Sequence, residues 1–122
     1  METSRAVLSF KDLLVWQKSV DLVAEIYILT RSFPPEERYA LISQIQRAAV
    51  SIPANIAEGN GRGTRKDYAH FIDIAHGSST ELEALLAIAV RLSYCTKNQC
   101  STIERLLGEI GKMLRALRAK LR

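Results

Sequence analysis

Apolar residues return every three or four positions along four long stretches of this 122-residue chain, with only short breaks between them. That is the period of an α-helix with a buried stripe, and no stretch alternates with the period of two that a half-buried strand needs. Three prolines and six glycines are few enough to leave long helices uninterrupted. The expected fold is all-α: a single domain, residues 1–122, with helices over about 13–31, 38–59, 65–94 and 102–121. Short connections between long amphipathic helices set sequence neighbours antiparallel, giving an up-down-up-down four-helix bundle.

Leu13, Trp16, Val20, Val23, Tyr27 and Thr30 trace one face of the first helix, and Leu22, Ile26, Leu29 and Phe33 form a second row beside it. A helix apolar over so much of its circumference is buried on more than one side, a first hint of an oligomer. Pro34 and Pro35 end this helix and suit the start of the next. The second stripe is Leu41, Ile45, Ala48, Ala49, Ile52 and Ile56, with Pro53 inside it, so a kink is expected near Ala49 to Pro53. Gly59, Gly61 and Gly63 mark the next break. Thr64 is placed to cap the third helix, with Asp67 three residues on. Gly77 inside that helix implies a closely approaching neighbour, for which Ala48, Ala49, Ala54 and Ala57 are the candidates. Ser101 or Thr102 is the expected cap of the fourth helix, whose stripe includes Ile103, Leu106, Ile110, Leu114 and Leu117.

Val15-Trp16-Gln17-Lys18, Phe33-Pro34 and the run Arg47-Ala48-Ala49-Val50-Ser51-Ile52-Pro53-Ala54-Asn55-Ile56-Ala57-Glu58-Gly59, with Gly77-Ser78 and Glu81-Leu82, carry a resemblance. Over about Phe10 to Leu117 the chain resembles the 23S rRNA intervening-sequence proteins, also called "four helix bundle" proteins. The resemblance implies a bacterial protein assembled as a ring of five. A distant relative of that family binds nucleic acid as an accessory to a reverse transcriptase.

The residues argue against an enzyme. A di-metal bundle site needs inward carboxylates with Glu-x-x-His pairs, and this sequence has none. His70 and His76, six apart, fall on different faces. Cys95 and Cys100 lack the second pair of a zinc site, and Gly59-x-Gly61-x-Gly63 follows a helix, so it is no phosphate loop of a nucleotide fold. No nucleophile, base and orienting group assemble. No cofactor or metal is expected. Two cysteines are too few for a disulfide scaffold, which favours a reducing cytoplasm. Met1 to Phe10 lacks the pattern of a secretion leader, and no apolar run approaches the roughly 20 residues of a membrane span.

Two constellations remain. Gln44, Arg47, Ser51, Asn55, Glu58 and Arg62 fall on one line along the second helix. Asn55 and Glu58, with Arg47, are expected to form a polar network against Ser78 and Glu81 of the third helix, or an oligomer contact. The alternative is a solvated face. The second constellation is basic. The chain carries a formal net charge of +4 and has no acidic residue after Gly111. In an up-down-up-down bundle one end would collect Arg5, Lys11, Arg62, Arg65, Lys66, Lys112, Arg115, Arg118, Lys120 and Arg122. Cations at a helix C-terminus also answer its dipole, but a basic pole repeated around a ring would neutralise the phosphates of RNA or DNA. The competing expectation is a scaffold that docks a protein through the helix 1 or helix 2 face.

Overall fold

The computed structural model describes residues 9–122. Four helices occur in order: α1 (Leu14–Thr30), α2 (Leu41–Asn60), α3 (Arg65–Arg91) and α4 (Ser101–Lys120). Among the described residues there is no strand, and no helix is long and apolar enough to cross a membrane. Leu22, Ile26, Ile45, Ile52, Ile56, Ile72, Leu82, Ile103, Ile110 and Leu114 fill the shared core. α2 lies against α1 and α3, and α4 closes against α1 and α3.

The row that enters the core is Val15, Ser19, Leu22, Ile26 and Leu29 of α1, continued by Phe33 just past its end. Of the row that starts at Leu13, Thr30 is buried, but Val20 is 39% and Tyr27 43% exposed, and Leu13, Trp16 and Val23 sit half-buried at the core edge. Ser19 disguises the true row. Its hydroxyl is buried but donates to the Trp16 carbonyl at 2.7 Å, so a polar residue occupies the core at little desolvation cost.

Helix ends follow local chemistry. α2 begins at Leu41, three residues after the expected start, because Pro35–Glu37 forms a separate 3-10 turn. Glu37 Oε1 then accepts from the Leu41 N–H at 3.2 Å. Pro53 is buried within α2 and the helix continues past it to Asn60. Thr64 Oγ1 accepts from the Asp67 N–H at 3.1 Å and starts α3. α3 stops at Arg91 rather than at Tyr94, because Ser93 takes φ 64°. The Tyr94 N–H donates to the Ala89 carbonyl and the Ser93 N–H to the Val90 carbonyl, the Schellman pattern, here with serine where glycine is usual.

Neither Ser101 nor Thr102 caps α4; both lie inside it. The cap stands one turn earlier. The Thr96 N–H donates to Gln99 Oε1 at 2.8 Å and the Gln99 N–H to Thr96 Oγ1 at 3.1 Å. This reciprocal capping box feeds a 3-10 turn, Asn98–Cys100, that runs into α4.

The close helix approach is at Gly59, not Gly77. A Cβ on Gly59 would stand 2.9 Å from Phe71 Cβ, 3.0 Å from Tyr68 Cδ1 and 3.2 Å from the Tyr68 carbonyl. A Cβ on Gly77 would meet nothing within 4 Å.

Candidate nucleic-acid interface

α3 opens with two cations, Arg65 and Lys66, in its exposed first turn. Positive charge there works against the helix dipole, so these residues do not stabilise α3 by their position. The last turns of α4 lie beside them. Arg65, Lys66, His70 and Asp73 of α3 face Arg118, Leu121 and Arg122 across a concavity of ≈ 490 Å³. A second hollow of ≈ 270 Å³ continues from it, lined by His76 of α3 and by Leu114 and Arg115 of α4. Asp73, Arg118 and Arg122 border both, so the two form one groove.

Five cations line this groove: Arg65, Lys66, Arg115, Arg118 and Arg122. Asp73 is the one carboxylate among its lining residues. Arg118 Nε donates to Asp73 Oδ1 at 2.9 Å, which fixes that guanidinium at the centre of the groove. Arg115 Nη1 lies 3.5 Å from His76 Nε2. His70 and His76, placed on different faces by their spacing, therefore flank Asp73 along the same groove. Apart from these histidines its lining holds no aromatic ring, so it offers charge but little stacking surface.

The remaining expected cations stand elsewhere. Arg62 pairs with Glu58 Oε2 at 2.9 Å and lies over the Phe71 ring, 4.8 Å from its centroid, on the α2 side of α3. Lys120 lies about 160° around α4 from Arg118 and lines neither hollow, and Lys112 is exposed a turn before Arg115. Lys11 belongs to a 3-10 turn that packs on α1 and α2. Arg5 lies outside the described residues.

The expected polar network is smaller than its sequence pattern. Ser51 Oγ and Ser78 Oγ share a hydrogen bond of 2.8 Å, and Asn55 Nδ2 donates to the Ser51 carbonyl at 2.8 Å and to Ser51 Oγ at 2.9 Å. Glu58 does not join it, because Arg62 one turn on takes its charge. Gln44, Arg47 and Glu81 are exposed at the surface and make no side-chain hydrogen bond among the described residues. Among those residues no group of three or more His, Cys, Asp or Glu is gathered as a metal site would need.

A sequence model of the 23S rRNA-intervening sequence protein family matches residues 11–116. Among solved structures, the chain is similar to a protein of unknown function of the S23 ribosomal protein family from Bacteroides thetaiotaomicron. The two share 29% identity over 86% of this chain and 98% of that one, with a TM-score of 0.79. No curated protein matches.

Proposed function

Because the chain belongs to the 23S rRNA-intervening sequence protein family, we propose that it is a non-enzymatic nucleic-acid-binding protein whose α3–α4 groove takes the phosphate backbone of RNA or DNA. The observation that carries this reading is the groove itself, five cations against one carboxylate. Its α3 cations gain nothing from the helix dipole. The four helices form an antiparallel up-down-up-down bundle, a reading supported by the pairs Asn60–Tyr68, Ser51–Ser78 and Asp73–Arg118, which match neighbours running in opposite directions. The protein works in the cytoplasm as a homo-oligomeric ring, which multiplies the groove. Phosphate contact without stacking or base-edge readout gives affinity with little sequence preference. The family's name makes structured RNA the first ligand to try.

A salt titration against single-stranded RNA, structured RNA and duplex DNA, with mass by light scattering in the same samples, tests it. Engagement of four or five phosphates gives a slope of log affinity on log salt of roughly −3 to −4.5. An oligomer that binds none of the three at low salt overturns the reading.

A second reading, a scaffold that docks a protein, is favoured by one observation: Val20, Tyr27 and Val50 leave 39%, 43% and 42% of their surface exposed on the α1–α2 side. Neutralising the groove separates the two, since it abolishes nucleic-acid binding and leaves association through α1 and α2 intact.

A further inference from the structure

Both cysteines of the chain lie in the connection from α3 to α4, and the nucleic-acid reading uses neither. Two local devices hold them. The Schellman turn around Ser93 delivers the chain to Cys95, and the Thr96–Gln99 capping box folds it back so that Cys100 closes the 3-10 turn. The two sulfurs stand 3.6 Å apart. Cys100 is fully buried and Cys95 is 6% exposed. Burial, reinforced by the hydrogen bond to Cys95, pushes the Cys100 thiol up to about 12. No third cysteine exists in the chain, and no His, Asp or Glu joins the pair among the described residues, so a four-ligand metal site is not available.

We infer that Cys95 and Cys100 are an oxidisable dithiol that closes to an intramolecular disulfide across the α3–α4 connection by exchange with a small-molecule disulfide of the glutathione type. Cys95 keeps the residual exposure of the pair, 6% against none for Cys100, and reacts first. Its thiolate attacks one sulfur of the small disulfide and expels one small thiolate, leaving a mixed disulfide on Cys95. Cys100 then gives up its proton and attacks the Cys95 sulfur, expelling the second small thiolate. Two protein thiols are oxidised to one disulfide, the small disulfide is reduced to two thiols, and the two protons leave with them. The sulfurs must close from 3.6 Å to a bond of about 2.05 Å. Thr96 to Gln99 between them are exposed, so the turn has room to adjust. Bridging so short a loop removes unfolded-state freedom and raises the melting temperature by roughly 5–10 °C. The dithiol follows the C-terminal end of α3 while Arg65 and Lys66 stand at its start, about 40 Å away along 27 residues. This inference is thus independent of the nucleic-acid reading.

The test incubates the folded full chain with glutathione disulfide at pH 8 and follows mass without reduction, thiols titrated after denaturation, and thermal melting. The expected product has lost about 2 Da, titrates no thiol, carries no glutathione and melts higher until dithiothreitol restores it. Cys100→Ser should stop at the glutathione adduct, and Cys95→Ser should stay unreacted while folded. Wild-type chain that keeps both thiols while a urea-unfolded control oxidises overturns the inference. So does a glutathione adduct that accumulates on the wild type without closing. The wild-type time course decides the matter even where a serine variant fails to fold.

Discussion

Ser51 Oγ and Ser78 Oγ meet at 2.8 Å across the α2–α3 seam, and Asn55 completes the contact from the next turn of α2. Ser78 is buried and Ser51 and Asn55 are partly so, and a buried polar group left without a partner is costly. Asn55→Ala should therefore destabilise the fold by about 1–2 kcal/mol. A double-mutant cycle of Ser51→Ala and Ser78→Ala should return a coupling of about 1 kcal/mol in urea denaturation. Arg47→Ala and Glu81→Ala, both exposed, should stay within about 0.5 kcal/mol of the parent.

Two glycines should respond in opposite directions. Gly59→Ala forces a methyl against Phe71 Cβ and the Tyr68 carbonyl, and overpacking of this kind costs about 1–3 kcal/mol. Gly77→Ala fills open space inside α3 and should stabilise by about 0.5–1 kcal/mol through helix propensity. Thermal melts of the two single variants decide it.

Ser93 holds φ 64°, a conformation that glycine adopts without strain. Ser93→Gly should raise stability by about 1 kcal/mol, because relief of the left-handed strain exceeds the added unfolded-state entropy. A lower melting temperature for Ser93→Gly would show that the serine is unstrained there.

The pH dependence of stability has two identifiable limbs. The hydrogen bond from Lys18 to Glu109, at 2.9 Å, holds the Glu109 carboxyl below its usual value of 4.5. Its contribution is present above that value and is lost as pH falls through the lower folded-state value. Glu109→Gln should flatten the acid limb below about pH 4.5. The hydrogen bond that Tyr94 donates to Glu37 raises the phenol above its usual 10.0. That contribution is complete below pH 10 and is lost as pH rises through the folded-state value, so Tyr94→Phe should flatten the alkaline limb. Melting temperatures across the pH range measure both.

Asp73 is the counter-charge in the groove, bonded to Arg118 at 2.9 Å. Asp73→Asn removes it and frees the guanidinium, so affinity for RNA should rise severalfold and the salt slope should steepen by as much as about 1. Arg118→Ala should do the reverse. A Lys120→Ala variant, altered outside the groove, separates local contact from net charge: it should change affinity far less than Arg118→Ala.

Helix periodicity made the core of α2 and α4 readable, because their stripes are apolar throughout. α1 misled at Ser19, whose hydroxyl satisfies itself against its own helix and so leaves no trace in an apolar pattern. The Thr96-x-x-Gln99 spacing was a readable cap that the nearer Ser101 and Thr102 obscured. Ser93 gave no signal, since a left-handed serine is set by the chain around it. In the groove, the sequence named Arg65, Lys66, Arg115, Arg118 and Arg122 by their shared end of the fold. It also named Arg62 and Lys120, because position along a helix does not say which way a side chain turns around it. His70 and His76 fall on separate faces by their six-residue spacing, yet both line the groove, because a groove between two helices is wider than one helical stripe.

The contact at Gly59 limits how this fold can change over time. Phe71 and Tyr68 occupy the space that any side chain at position 59 would need. Enlarging residue 59 first would pass through a destabilised intermediate, whereas trimming one of the aromatics first would open a void. Either order carries a penalty until the second substitution arrives, so residues 59, 68 and 71 form a unit that drifts jointly or stays put. A chimera that joins α2 of one homologue to α3 of another should fold best when it takes all three from the same parent.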